Sequence, residues 1–270
     1  MADLKDKVVV ITGAANGLGK ALAIEFYRKG CHLALIDIDF TGIQNLKAIL
    51  NHKQQLITIH QADISDEETI IKTRLEILNI HKHINILVNN AGISNSQYFE
   101  QIDLGDYKTL FDTNFWGTIY CTKHFLPDLN SQKESRIVNI ISDFALMGFP
   151  GKTAYGSSKS AVMGFTNALK TELTDSNVKI CMVIPPPLDT GLVRSSKHID
   201  EKKREMESRF IKKHAHPLDQ TSKRIVRQIE IGKFRIVIGT MMFSMDLISR
   251  LFPTLIHKLI GKYKKRFDFT

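Results

Sequence analysis

Apolar residues along the first two thirds of the chain fall into short continuous runs, and between the runs they recur at helical spacing. Residues 7–12 are nearly continuous Val and Ile, the pattern of a strand buried on both faces. A second run, His32-Leu33-Ala34-Leu35-Ile36-Asp37, predicts a second strand, and further strands are expected at 55–60, Ile84 to Val88, 136–142, Val178 to Ile184 and Phe234 to Ile238. Helices are expected from Leu22-Ala23-Phe26 onwards, over 41–52, 66–81 and 103–130, and from Tyr155 to about 175. Apolar strands alternating with helices imply an α/β domain with one doubly wound parallel sheet. Ligands of such sheets sit beyond the carboxyl ends of the strands, and Thr12, Asp37, Asn89, Ser142 and Pro185 all fall at those ends.

The first strand runs into Thr12-Gly13-Ala14-Ala15-Asn16-Gly17-Leu18-Gly19, and a helix follows. Strand, glycine turn and helix together aim backbone N–H groups and a positive helix end at one point, where a dinucleotide pyrophosphate is expected in a Rossmann-type sheet. Asp37 ends the second strand 18 residues after Gly19. A carboxylate there accepts hydrogen bonds from the adenosine ribose hydroxyls and repels a 2′-phosphate, which favours NAD over NADP. Asn16 and Ile38 carry no charge that would hold such a phosphate, although Lys20 is near in sequence. Asp63, with Ile64 beside it, is expected at the adenine. Asn89-Asn90-Ala91-Gly92 ends the fourth strand, where the amides either cap neighbouring strands or touch the cofactor.

Tyr155 and Lys159 stand four residues apart, about one helical turn, so phenol and ammonium share a helix face. At roughly 5 Å and an effective dielectric of about 20, the cation would favour phenolate by about 3 kcal/mol, lowering the phenol pKa by about 2 units. Alone, the spacing fits an exposed helix face equally well. With the other motifs assembled in order, the chain resembles the short-chain dehydrogenase/reductase family over about residues 5–240. The resemblance rests on Thr12 to Gly19, Asp63, Asn89 to Gly92, Asn114, Ser142, Tyr155 and Lys159, the serine 13 residues before the tyrosine. It implies hydride transfer between a nicotinamide and a carbinol or carbonyl carbon. Tyr155 would be the acid or base, Ser142 would hold the substrate oxygen, Lys159 would lower the tyrosine pKa and bind the nicotinamide ribose, and Asn114 would hold a water linking Lys159 to solvent. Two positions depart from the pattern: Pro186 stands where a glycine is usual, and Asp143 follows the serine. Proline removes an N–H and fixes φ beside the nicotinamide, leaving Pro185, Leu188 and Thr190 for the cofactor.

Composition narrows the class. Residues 194–270 hold 19 Lys/Arg against 8 Asp/Glu, so the basic character (+9 overall) is local and nucleic-acid binding is not implied. Cys31, Cys121 and Cys181 are far apart in apolar segments and read as reduced core thiols. The strand-like Val8 to Ile11 so near the start leads us to expect a cytoplasmic chain without a signal peptide. Residues 191–217 are polar and rich in charge, and the resemblance implies that they form a substrate lid within a domain of residues 1–240. The histidines His198, His214 and His216 read as solvated loop residues, and no metal site is implied. Phe144, Leu146, Met147 and Phe149 suggest an apolar substrate wall. Met241, Met245, Ile248, Phe252, Leu255 and Leu259 form a helical stripe in a basic tail, 241–270, that also carries Lys262, Lys264, Lys265 and Arg266. That tail fits an anionic membrane surface, a partner subunit or the enzyme's own body. The resemblance implies pairing through helices at about 103–126 and 153–173, giving a homodimer or homotetramer. These readings converge on an NAD-dependent oxidoreductase for an apolar or lipid-like secondary alcohol or ketone. The competing reading is a non-catalytic NAD-binding or membrane-recruited protein that retains the fold.

Overall fold

Each apolar run forms a strand of a single sheet in the computed structural model, which describes residues 3–50, 54–194, 196–198 and 200–264. Strand β1 (Val8–Thr12) leads through α1 (Gly17–Arg28) to β2 (His32–Asp37), α2 (Phe40–Leu50), β3 (Ile57–Gln61), α3 (Glu67–His81) and β4 (Ile86–Asn89). A two-residue strand, β5 (Asn95–Ser96), precedes α4 (Leu104–Phe111), a π-helical segment (Asp112–Trp116) and α5 (Gly117–Asn130). Then come β6 (Ser135–Ile140), a 3-10 turn (Asp143–Ala145), α6 (Thr153–Glu172) and β7 (Val178–Ile184). The remaining elements are β8 (Lys197–His198), α7 (Glu201–His214), α8 (Leu218–Glu230), β9 (Arg235–Val237), α9 (Thr240–Leu251) and α10 (Pro253–Lys262).

The large sheet is wholly parallel, in the order β3-β2-β1-β4-β6-β7-β9. Side chains alternate across it, so Val9 and Ile11 of β1 join one core with α1, α2 and α8, while Val8 and Val10 join another with α3, α5 and α6. Burial on both faces explains why the strands read as unbroken apolar runs. The three cysteines are free and buried, and burial pushes each thiol up to about 12.

The helix and lid expectations change, and the tail takes up one of the dispositions expected for it. The helix predicted over 103–130 is interrupted by the π turn, which inserts one residue and shifts the faces on either side; Asn114 at its centre is fully buried. The tail packs on the enzyme body: Met242 is buried, and the buried Asp246 carboxylate pairs with the Arg235 guanidinium at 3.1 Å. Of the predicted stripe, Met245 packs on this core whereas Met241, Ile248, Phe252, Leu255 and Leu259 are all exposed. Lys265 and Arg266 lie outside the described residues. Among those residues, no helix is long and apolar enough to cross a membrane.

The segment expected as a lid differs from the reading of its histidines as solvated loop residues. It contains α7 and β8, and β8 pairs in parallel with β5. The His198 side chain is buried, its Nε2 2.8 Å from Glu207 Oε2. The Glu207 carboxylate also takes Lys152 Nζ at 2.7 Å and the Ser96 hydroxyl, while the Lys152 ammonium donates to the Asn95 carbonyl at 3.0 Å. Burial alone would raise the Glu207 carboxyl, but bonds from His198, Lys152 and Ser96 outweigh it and hold the pKa down at about 2. The lid helix is thus bolted to the loop three residues before Tyr155. Removing one partner of a buried pair strands the other, so Glu207→Gln is expected to destabilise the fold by about 3–5 kcal/mol in urea unfolding. Because the folded pKa is depressed from 4.5, this contribution is present above pH 4.5 and lost as pH falls towards 2. The variant should lack that part of the wild-type acid limb.

Candidate active site

The glycine turn is shaped by close approach. Gly13 and Gly17 have φ of +65° and +53°, and a Cβ on either would come within 2.7 Å of Ala91 Cα or Thr190 Cβ, respectively. Asn16 at the N-cap of α1 makes no side-chain capping bond, so it does not consume the helix's first N–H groups. Gly19, expected to touch the cofactor, does not line the cavity. A Cβ there would lie 2.0 Å from the Gly13 carbonyl oxygen, so its role is to let α1 pack on the turn. Asp37 is half-buried; its Oδ2 accepts from Ala15 N at 2.8 Å and Oδ1 from Asp39 N at 2.9 Å. Each carboxylate oxygen keeps acceptor capacity for a ribose hydroxyl. Asp39, missed in the sequence, adds a second carboxylate to the same wall, where it accepts from Gly42 N at 2.9 Å. The acid two residues after Asp37 was the available signal. Lys20 is not part of the cavity lining.

The amides at the end of β4 divide their work. Asn89 is buried and donates to Thr122 and Asn139, bracing the sheet. Asn90 lines the cavity while its amide holds the Thr12 and Gly13 carbonyls at 3.0 and 3.1 Å. Gly92 lets Asn114 and Lys159 draw close, since a Cβ there would meet Asn114 Oδ1 at 2.9 Å and Lys159 Nζ at 3.4 Å. Asp63 and Ile64 also line the cavity.

Ser142, Tyr155 and Lys159 converge at its middle. Strand β6 stops at Ile140, so Ser142 caps the following 3-10 turn and its hydroxyl donates to Asp143 Oδ1 at 2.9 Å. The Tyr155 phenol faces the Ser142 hydroxyl, which favours its ionised form, and its ring packs edge-on against Phe144. Lys159 Nζ donates to the Ile140 carbonyl at 3.1 Å. The expected fall of the tyrosine pKa does not occur in this structure. Burial pushes the phenol up to about 12 against the Ser142 bond, with the Asp143 and Glu207 carboxylates adding to the rise. Burial also lowers the Lys159 ammonium to about 8. Desolvation exceeds the pairwise attraction estimated at an effective dielectric of about 20. Asn114 does not reach the cavity: its carboxamide accepts from Ile93 N at 2.8 Å and donates to Ile93 O and Ser158, both at 3.0 Å. Its side chain therefore positions the site, and one Oδ1 lone pair stays open for the water expected of it.

One cavity of about 930 Å³ joins these groups. Gly13, Asn16, Gly17, Leu18, Asp37, Ile38, Asp63, Ile64, Asn90, Ala91 and Gly92 line one arm, with Pro185, Leu188 and Thr190 beside it. Pro186 is buried in the same wall. Beyond Tyr155 the lining is apolar, with Phe144, Met147 and Phe149 as expected, whereas Leu146 packs into the core instead. Met242, Met245 and Ile256 from the tail, and Phe210 from the lid, complete that end; their part was hidden in the sequence because it depends on where distant helices dock. Asp143, Lys152 and Glu207 are polar exceptions in its wall. The first arm has the donors, glycine clearances and carboxylate a dinucleotide requires, so its residues fit a nicotinamide cofactor.

Comparison with known proteins agrees with this geometry. The short chain dehydrogenase family model matches residues 7–201. SadH of Mycobacterium tuberculosis, named an oxidoreductase, is 29% identical over 265 residues, covering 97% of this chain and 96% of its own. The 3-ketodihydrosphingosine reductase of Mus musculus is 31% identical over 244 residues, 86% of this chain and 71% of that protein. Among solved structures, a Burkholderia phymatum short-chain dehydrogenase/reductase in complex with NAD superimposes with a TM-score of 0.86 at 21% identity, covering 96% of this chain and 97% of that one. An alcohol dehydrogenase from Thermococcus sibiricus complexed with 5-hydroxy-NADP has a TM-score of 0.76 at 20% identity, covering 87% and 96%. The chain belongs to the short-chain dehydrogenase/reductase family.

Proposed function

We propose that this oxidoreductase transfers hydride between NAD(H) and an apolar, lipid-like secondary alcohol or ketone. The observation that carries the reading is the single cavity in which Ser142 and Tyr155 stand between a nucleotide-shaped arm and an apolar chamber. The nicotinamide supplies the hydride donor or acceptor. Tyr155, protonated at neutral pH, gives its proton to the substrate oxygen in reduction and takes it back in oxidation. Ser142 turns its hydroxyl from Asp143 towards that oxygen and stabilises the charge that develops there. Lys159 holds the cationic form below about pH 8, on the phenol's own helix face. Asn114 acts behind them, fixing Ile93 and Ser158.

NAD is favoured because Asp37 and Asp39 both face the adenosine end and Lys20 does not. A 2′-phosphate would meet two carboxylates without a cation. An apolar substrate is supported by the Phe and Met lining, and the 3-ketodihydrosphingosine reductases among the relatives are named for a ketone of lipid type. A homodimer or homotetramer through α4–α5 and α6 is part of the reading, since Leu104 and Trp116 present exposed apolar surface on that side. A non-catalytic role fits less well, because the serine, tyrosine and lysine all converge on the cavity.

Tyr155→Phe is expected to lower turnover by at least about 100-fold while NADH affinity, followed by fluorescence titration, changes little; undiminished turnover would remove the proposed acid. The screen for activity is a panel of sterols, fatty alcohols and small ketones read by NADH absorbance. Titration of the wild type should show tighter binding of NADH than of NADPH, and Asp37→Ala should narrow the difference. Tighter NADPH binding by the wild type would overturn the cofactor assignment.

A further inference from the structure

We propose that α9 and α10 seat the protein on an anionic lipid surface, with the apolar end of the cavity directly behind the seated face. Each helix has two working sides. On α9, Phe243, Leu247 and Leu251 follow at four-residue steps and are all exposed; on α10, Leu255, Leu259 and Tyr263 repeat the arrangement. The other sides send Met242, Met245, Ile256 and Ile260 into the cavity wall. A run of large apolar side chains left in water across two successive helices is unlike the scattered exposure of an ordinary surface and marks a contact site.

Charge selects the occupant. Between Thr240 and Lys264 the only acid is Asp246, which is buried against Arg235. Lys258, Lys262 and Lys264 are exposed, as is Arg250, whose guanidinium also lies 3.7 Å from Asp246. Among the described residues, the outward surface of α9 and α10 therefore offers apolar groups and cations without a solvent-facing carboxylate, the combination that holds an interfacial helix on acidic lipid headgroups. A second copy docked here across a two-fold axis would set these cations against their own equivalents. Nor do the helices span: at 12 and 10 residues they reach about 18 and 15 Å, against a hydrocarbon core of about 30 Å, and Pro253 separates them. They lie in the surface. The consequence for the site rests on the proposed function: a lipid-like substrate would pass from the bilayer past α9 and α10 to Tyr155 without crossing water.

Vesicle binding tests the seating independently of turnover. The protein is sedimented with phosphatidylcholine vesicles, with and without phosphatidylserine, at low and high salt. Two variants are compared with it: Leu247→Ser/Leu251→Ser/Leu255→Ser on the outer face, and Lys258→Glu/Lys262→Glu. None of these residues lines the cavity. Wild type should bind the phosphatidylserine vesicles, release several-fold at high salt, and lose at least about tenfold in affinity in either variant. Should the serine variant fail to melt cooperatively, the charge reversal carries the test alone, since it alters only exposed side chains. Absent binding, equal binding to neutral vesicles, or unchanged binding by a folded variant would overturn the proposal. So would light scattering that shows a wild-type oligomer dissociated by the serine variant, because a second copy would then be the occupant.

Discussion

All seven strands run the same way, so every carboxyl end opens at one edge of the sheet. Parallel neighbours can be joined only by crossovers that return over a face, and the helices doing so cover both faces with apolar side chains. What remains uncovered is the edge itself. The crossovers leave β1 on opposite faces, α1 and α2 towards β2 and β3, α3 towards β4, so a crevice opens between β1 and β4. The glycine turn after β1 and the Asn90 amide after β4 meet across it. Thr12, Asp37, Asn90 and Ser142 are far apart in sequence but neighbours because their strands end together.

The substrate end is held by different physics. There the wall comes from α7, within the connection from β7 to β9, and from α9 and α10 beyond the last strand; Glu207 with Lys152 ties α7 down, and Asp246 with Arg235 ties α9 to β9. A buried pair of this kind adds little net stability compared with an apolar substitute, but it has one geometry in which all its bonds are met. Lys152 reaches Glu207, Ser96 and the Asn95 carbonyl together only when α7 and β8 are seated. The sheet thus fixes the chemistry and the ion pairs fix the shape of the space beside it.

That division explains what the sequence disclosed. The strands were legible because two-sided burial writes an unbroken apolar run, and the nucleotide arm because Gly13, Gly17 and Asp37 do local work at fixed spacing. Gly19 was read as a ligand contact because the motif does not say which glycine serves the ligand and which serves helix packing. The π turn at Asn114 left no mark, since one inserted residue barely disturbs a helical pattern. His198 looked solvated because its partner Glu207 lies on α7, in a stretch dense with charge, and no local pattern distinguishes that one buried carboxylate. The tail's apolar stripe was found but assigned to one face; packing put Met245 inside and Phe252, Leu255 and Leu259 outside.

The tyrosine shows most clearly how environment overrides a pair. Four-residue spacing does place Lys159 on the phenol's face of α6, yet attraction between two charges competes with the loss of water around both. Here the cation is itself weakened by burial, to about 8, and is engaged by the Ile140 carbonyl, while two carboxylates face the phenol and oppose its ionisation. In the proposed reaction a protonated phenol is the proton donor that reduction of a ketone requires. For oxidation the same site must lower the phenol, and the groups able to do so are named by the geometry: Ser142, whose hydroxyl can leave Asp143 and donate to a developing oxyanion, and a fully protonated Lys159. The ionisation of Tyr155 is therefore set by its burial and by the carboxylates beside it, not by the spacing of Tyr155 and Lys159 alone.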